Sequence, residues 1–243
     1  MSIACNPSII TNGLVLCLDA ANTKSYSGVG TTWYDLSGNG NNGTLTNGPT
    51  YSDEKGGSIV FDGTNDTLVI SNSLSLQNTF SRNSFTITSV SKTTTLVYPK
   101  SAFPFWIQTY VLNPGGAINN RGMSSGDGSL ETGFVIEVNN GGTYFVGTVT
   151  HKTELSVIYH RTMVIDRTNN GFKFKYYVNG VFLGQVEDPS ISGSIYDGGG
   201  MSFGNMFGWL FSGSLYNLTI HSSALTSQQI SQNFNAVRGR FGL

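Results

Sequence analysis

The sequence predicts an all-β sandwich of two antiparallel sheets closed by one short C-terminal helix. Three observations predict it. Apolar runs of four to eight residues recur along the chain and are separated by Gly/Asn/Ser/Asp clusters, the signature of many short strands joined by turns. Gly, Asn, Ser and Thr make up 108 of the 243 residues, a composition rich in turn formers. A helical period occurs once, near the C-terminus.

In chain order the runs place strands at 13–18, 58–61, 67–70, 84–91, 105–110, 133–138, 144–150, 155–166, 172–178, 181–186, 201–203 and 213–221. Between Tyr177-Val178 and Val181-Phe182 stands Asn179-Gly180. That pair suits a type I′ hairpin, because both central residues of such a turn need φ > 0. Thr226-Ser-Gln-Gln229 puts a hydroxyl at a helix N-cap and an amide three residues on, a capping box. The helix should run over 227–237, with Ile230, Phe234 and Val237 forming one apolar face for packing on the sandwich.

The length suits a single β domain. No internal repeat and no charged or proline-rich linker divides the chain, so residues 11–243 read as one domain behind an N-terminal arm at 1–10. Fifteen Phe, eleven Tyr and three Trp supply enough apolar surface to offset the entropy of ordering. Thirteen basic against fourteen acidic residues, with no basic run, removes the electrostatic term that dominates nucleic-acid binding. The longest apolar stretch, near Gly13–Asp19, is far shorter than the ~20 residues a membrane helix needs. The N-terminus has neither a basic nor a long apolar segment, so no export signal is expected. Cys17 sits in an apolar run where a thiol behaves as a small buried hydrophobe; a bridge to Cys5 is the alternative.

Gly38-Asn-Gly40-Asn-Asn-Gly43 matches a dinucleotide fingerprint in letters only. The strand before it and the helix opening inside it are missing, and the glycines read as φ > 0 positions of a surface loop that continues as turn through 44–49. No G-x-S-x-G elbow is present, and His151, His160 and His221 have neither a catalytic motif nor zinc-type spacing. Glu131 and Glu137 lie six residues apart on one strand, roughly 20 Å by strand rise, beyond the reach of a glycosidase acid pair. Asp62, Asn65 and Asp66 join two strands with the hard oxygens that Ca2+ prefers, although Asp and Asn also simply make turns. The remaining signal is loop aromatics. Trp33 and Tyr34, Trp106 within Phe103-Pro-Phe-Trp106, and Met206, Phe207 and Trp209 within Met206–Phe211 are candidate contacts for a protein partner or for sugar rings.

Several stretches then resemble one family. They are Gly13-Leu-Val-Leu-Cys-Leu-Asp-Ala-Ala-Asn22, Thr32-Trp-Tyr-Asp-Leu-Ser-Gly-Asn-Gly-Asn-Asn-Gly-Thr44 and Ser58-Ile-Val-Phe-Asp-Gly-Thr-Asn-Asp66. Downstream, Ser84-Phe-Thr-Ile87, Tyr177-Val-Asn-Gly180, Phe211-Ser-Gly213 with Tyr216, and Leu225 through Asn233–Phe241 follow in the same order. Together they resemble the laminin-G/concanavalin A-like lectin domains common in bacteriophage virion proteins. The resemblance spans residues 11–243 and implies a jelly-roll of two antiparallel sheets and a virion setting.

Members of that family variously bind glycans, bind protein or form part of hydrolases, so the fold alone selects no activity. Its calcium-binding members use loop carboxylates, and Asp62 and Asp66 occupy the comparable loop. The family's usual tryptophan before the hairpin is replaced near Tyr159-His160. The resulting expectation is a non-enzymatic phage surface protein, a capsid decoration or tail-associated component made in the host cytoplasm. It would dock in multiple copies on a phage structural protein and hold glycans by aromatic stacking, without a required cofactor. A polysaccharide hydrolase and a secreted adhesion module are the alternatives.

Overall fold

The computed structural model describes residues 8–82, 84–95, 116–124, 130–139, 143–145, 149, 151–168, 171–188, 201–204 and 211–243. Their strands are β1 (Leu14–Asp19), β2 (Thr32–Trp33), β3 (Gly43–Thr46), β4 (Thr50–Ser52), β5 (Ser58–Asp62), β6 (Thr67–Ile70), β7 (Phe85–Thr95) and β8 (Gly116–Ser124). There follow β9 (Leu130–Asn139), β10 (Thr143–Phe145), β11 (His151–Thr153), β12 (Ile158–Thr168), β13 (Gly171–Val178), β14 (Val181–Asp188), β15 (Met201–Gly204) and β16 (Ser212–His221). Two helices, α1 (Leu74–Arg82) and α2 (Ser227–Phe241), complete the described elements. The strand expected at 105–110 lies outside the described residues.

An eight-stranded sheet runs β14-β13-β12-β7-β16-β5-β4, and β1 also pairs with β16. The central strand serves two partners end to end. Residues 212–215 of β16 pair with β5, and 217–221 pair with β1. A four-stranded sheet, β15-β6-β3-β2, packs on the inner face of the large one. A third, β8 to β11 around β9, meets the same inner face through β11. The His151 ring lies 5.1 Å from that of Tyr159, and Tyr159 belongs to the inner core. The sandwich expected from the sequence is therefore present, with a second layer divided between two sheets.

Alternation along each strand builds the inner core. Leu16 and Leu18, Ile59 and Phe61, Phe85 and Ile87, and Met163 and Ile165 of the large sheet meet Trp33, Leu45, Leu68, Ile70, Met201 and Phe203 of the small one. Phe61, Phe203 and Phe211 form an edge-to-face triad with centroids 5.0–5.7 Å apart.

Helix α1 corrects the expectation of a single helix. Its Ser, Asn and Thr residues cost a few tenths of a kcal/mol each relative to alanine, which hides it from a propensity reading. Burial of Leu76 and Phe80, at 0% and 1% exposure, contributes roughly 3–6 kcal/mol and outweighs that deficit. The Ser73 hydroxyl caps it by accepting from the Leu76 amide at 3.2 Å. Strands β2, β3 and β4 also stand where the sequence reading placed loop, turn or no strand. At two to four residues each, they are held by their partners rather than by their own composition.

The Asn179-Gly180 hairpin has φ of 49° and 76°, the type I′ geometry its sequence requires. Helix α2 carries the capping box at Thr226 and Gln229 and runs four residues beyond the expected end at Val237. Phe241 holds that extension by packing 5.2 Å from the Tyr216 ring. Arg240 adds to it, donating to Asp19, to the Lys55 carbonyl and to the Gly57 carbonyl at 2.6–2.7 Å.

Residues 8–10 of the expected arm lie against α2. The Ile10 backbone amide donates to Asn233 Oδ1 at 2.8 Å and Gln232 Nε2 to the Ser8 carbonyl at 3.1 Å. The reading of Cys17 as an inert thiol does not hold, because it is disulfide-bonded. Its side chain packs with Ile9 and Leu36, and the chain's other cysteine, Cys5, lies outside the described residues.

Candidate functional site

Strand register gathers several loops at one rim. Asp62 and Thr95 are both opposite Ser212, and Thr67 is opposite both Gly204 and Thr46. The turn after β3, the β5–β6 loop and the strand ends that lead into 96–115 and 205–210 therefore converge. Trp106, Met206, Phe207 and Trp209 lie outside the described residues. Three of the residues that lead into their segments, Thr95, Gly204 and Phe211, stand at this rim.

The Asp62–Asp66 loop spends its oxygens on its own turn. Asp62 Oδ1 accepts from the Thr64 amide at 2.7 Å, and Asp66 Oδ2 accepts from the Asp62 amide at 2.9 Å. The Asn65 carbonyl accepts from the Asn47 side chain at 2.9 Å. Asp66 is 5% exposed, and burial, reinforced by the neighbouring Asp62 carboxylate, raises its pKa against the opposing Asp62 amide bond. Calcium takes six to eight oxygens and prefers charged carboxylates. Two carboxylates and one amide side chain supply only part of that set. Among the described residues no three His, Cys, Asp or Glu side chains gather as a metal centre.

Trp33 and Tyr34 part company. Trp33 is fully buried at 0% exposure and edges against Tyr26 at 6.4 Å, so it is a core residue and not a surface contact. The alternation that turns it inward leaves Tyr34 outside, 52% exposed, with its amide donating to the Ser25 carbonyl at 2.7 Å. Tyr51, an exposed aromatic that sequence reasoning passed over, tilts on Tyr26 at 5.7 Å.

The glycine-rich stretch after Tyr34 is built by side chains. Asp35 Oδ1 accepts from the amides of Cys17 and Ser37, and its Oδ2 accepts from Ser37 Oγ and the Asn41 amide, at 2.6–3.0 Å. Buried Asn41 ties the loop to the Val15 carbonyl and to Ser75. Gly38 and Gly40 take φ of 91° and 73°, as the reading of a φ > 0 loop requires, whereas Gly43 departs from it by opening β3.

Two histidines lie on the outer face of the large sheet. His160 packs its ring 5.5 Å from Phe234 of α2, and burial pulls its pKa down to about 4. His221 donates from Nε2 to the Ile10 carbonyl at 2.8 Å. Both help hold the layers together. His160 lines a cavity of about 20 Å³ beside Thr88, Asn217, Thr219 and Asn233, room for one water.

On the inner face lies a cluster that sequence reasoning missed. Arg161 of β12 is 2% exposed. Its Nη1 and Nη2 donate to Ser91 Oγ and Thr153 Oγ1, each at 3.2 Å, and its guanidinium lies 4.5 Å over the Tyr159 ring. No carboxylate pairs with it among the described residues, whose ion pairs join Lys92 to Glu54, Lys173 to Glu187, Lys175 to Asp166 and Arg240 to Asp19. A desolvated cation–π contact gives about 2 kcal/mol, against an effective desolvation penalty of several kcal/mol for a buried ion. Burial lowers the Arg161 pKa, yet guanidinium keeps its proton in proteins. Its position in an apolar-looking strand run gave the sequence no way to mark it.

No protein-family model and no curated protein matches the chain by sequence. Solved structures do match by shape. Domain 4 of AbnA, a GH43 extracellular arabinanase from Geobacillus stearothermophilus solved with arabinotriose, superposes with a TM-score of 0.63 at 18% identity, covering 90% of this chain and 97% of that one. The receptor-binding domain of botulinum neurotoxin C/D mosaic serotype gives 0.67 at 13% identity, covering 93% of this chain and 52% of that one. Trypanosoma rangeli sialidase in complex with the inhibitor DANA gives 0.61 at 16% identity, covering 96% and 35%. The chain thus spans about half of the toxin domain and a third of the sialidase. At these identities the likeness shows the fold, and that fold is a β-sandwich.

Proposed function

We propose that the protein is a non-enzymatic glycan-recognition sandwich displayed on a bacteriophage particle, docked on a capsid or tail protein in multiple copies. The observation that carries the glycan part is the convergence at one rim of the acidic loop, the turn after β3 and strand ends flanking the aromatic segments. Loops gathered on a rigid β scaffold are the usual place for recognition. The likeness to an arabinanase domain holding arabinotriose supports a saccharide as the ligand class. The laminin-G-like sequence motifs support the virion setting.

A hydrolase needs two carboxyls about 5–9.5 Å apart across an open groove. Asp62 and Asp66 instead lie close enough to influence each other directly, with Asp66 buried, which favours binding over cleavage. The test is a glycan array probed with wild type and with Trp106→Ala, Trp209→Ala and Tyr34→Ala. Wild type should bind a limited saccharide set, and at least one of these substitutions should abolish that binding. Absence of wild-type binding at millimolar saccharide would remove the glycan reading. Imaging the purified particle with and without this protein tests the virion placement separately.

A further inference from the structure

We propose that Arg161 anchors a buried site for a small monovalent anion, either a free halide ion or the carboxylate of an acidic sugar. Three observations converge on it. The guanidinium is buried and has no acidic partner among the described residues, and its Nε makes no hydrogen bond. The inner face of β7 beside it presents Ser89, Ser91 and Thr93 in alternation, with Ser89 directly opposite Arg161 and Ser91 opposite Tyr159. Of these hydroxyls, Ser89 Oγ and Thr93 Oγ1 are also buried without partners.

An unspent guanidinium nitrogen and, on the position opposite, an unspent Ser89 hydroxyl beside one uncompensated charge mark a place where an ion or ligand completes the set. The titratable groups around it are His151, Tyr159 and Tyr176. Arg161 already depresses the His151 pKa, second only to burial, while Glu154 opposes with a smaller effect. None of these supplies a fixed negative charge at neutral pH. Neutral hydroxyls and a guanidinium fork donate to a halide or a carboxylate and repel cations. The site is therefore selective by sign.

Crystals of wild type soaked in sodium bromide test this directly. An anomalous peak within hydrogen-bond distance of the Arg161 guanidinium is the expected result, and its absence overturns the proposal. In solution, the Tm should climb with bromide at constant ionic strength made up with methanesulfonate, by about 5–10 °C at a hundredfold excess over the dissociation constant. Arg161→Met should remove that dependence, and a variant that keeps it counts against the site. If Arg161→Met does not fold, the bromide map of wild type decides alone. Competition separates the two sources. Displacement of bromide by glucuronate but not by glucose assigns a sugar carboxylate. Bromide that glucuronate leaves in place assigns a resident halide and leaves the neutral-glycan reading untouched.

Discussion

The two faces of the eight-stranded sheet are both buried, by different means. The inner face carries aromatic and aliphatic side chains that interdigitate with a second layer of strands. The outer face carries Thr86, Thr88, His160, Thr162, Asn217, Thr219 and His221, interspersed with Val90, Val164, Tyr177 and Tyr216, beneath one amphipathic helix and the chain's N-terminal segment. Thr88 and Thr162 bond each other at 3.0 Å, Thr86 Oγ1 donates to the Ser223 carbonyl and Asn217 donates to the Leu18 carbonyl. Packing volume stabilises the inner face, whereas the outer face depends on polar groups finding partners. Their sensitivities should differ accordingly.

The largest expected effect is on the inner face. Phe85→Ala empties space at a fully buried ring 4.9 Å from Phe80 and should lower unfolding free energy by about 3–5 kcal/mol with little pH dependence, read by urea denaturation.

Next comes a pH effect centred on the outer face, with His151 on the inner side shifted in the same direction. His160 has a folded pKa near 4 against 6.5 in its ordinary state. The unfolded chain therefore binds more protons between those values, and stability rises with pH. The contribution is complete above pH 6.5 and fades as pH falls toward 4, by about 3 kcal/mol for the full shift. His221 shifts in the same direction. Asp66, raised in the fold, works the other way. His160→Gln should flatten the profile. In wild type at pH 4.5, hydrogen exchange should rise first in α2. Uniform loss across both faces would break the distinction between them.

Arg240→Ala removes three donors that tie α2 to β1 and to the turn at 55–57. A loss of about 2 kcal/mol is expected by thermal unfolding, mostly independent of salt because two acceptors are carbonyls. The smallest effect is Thr226→Ala, about 1 kcal/mol for one N-cap. It should appear as fraying of the first turn of α2 in hydrogen exchange.

Much of the fold was legible in the sequence where a local rule forces the outcome. Asn179-Gly180 could form only a tight turn between its strands, and Thr226 with Gln229 marked the start of α2. Strands such as 67–70 showed through unbroken β-branched and apolar runs. Helix α1 and β2–β4 escaped because their residues favour turns and their stability comes from contacts far along the chain. The candidate site was harder still. A pair of adjacent aromatics does not say which faces inward, so Trp33 and Tyr34 looked equivalent until the pleat separated them. Arg161, in a strand whose inner face is otherwise apolar, had no local signal at all.

The sequence by itself determined the class of fold, the hairpin and the capped helix, because periodicity and turn chemistry act over short range. Tertiary structure alone decided which aromatics face solvent, which loops share a rim, the bonded state of Cys17 and the isolation of Arg161. Those depend on register and on which strands become neighbours. Residues as distant as Asp62 and Ser212 meet only when β16 pairs with β5, and no local stretch of chain carries that information.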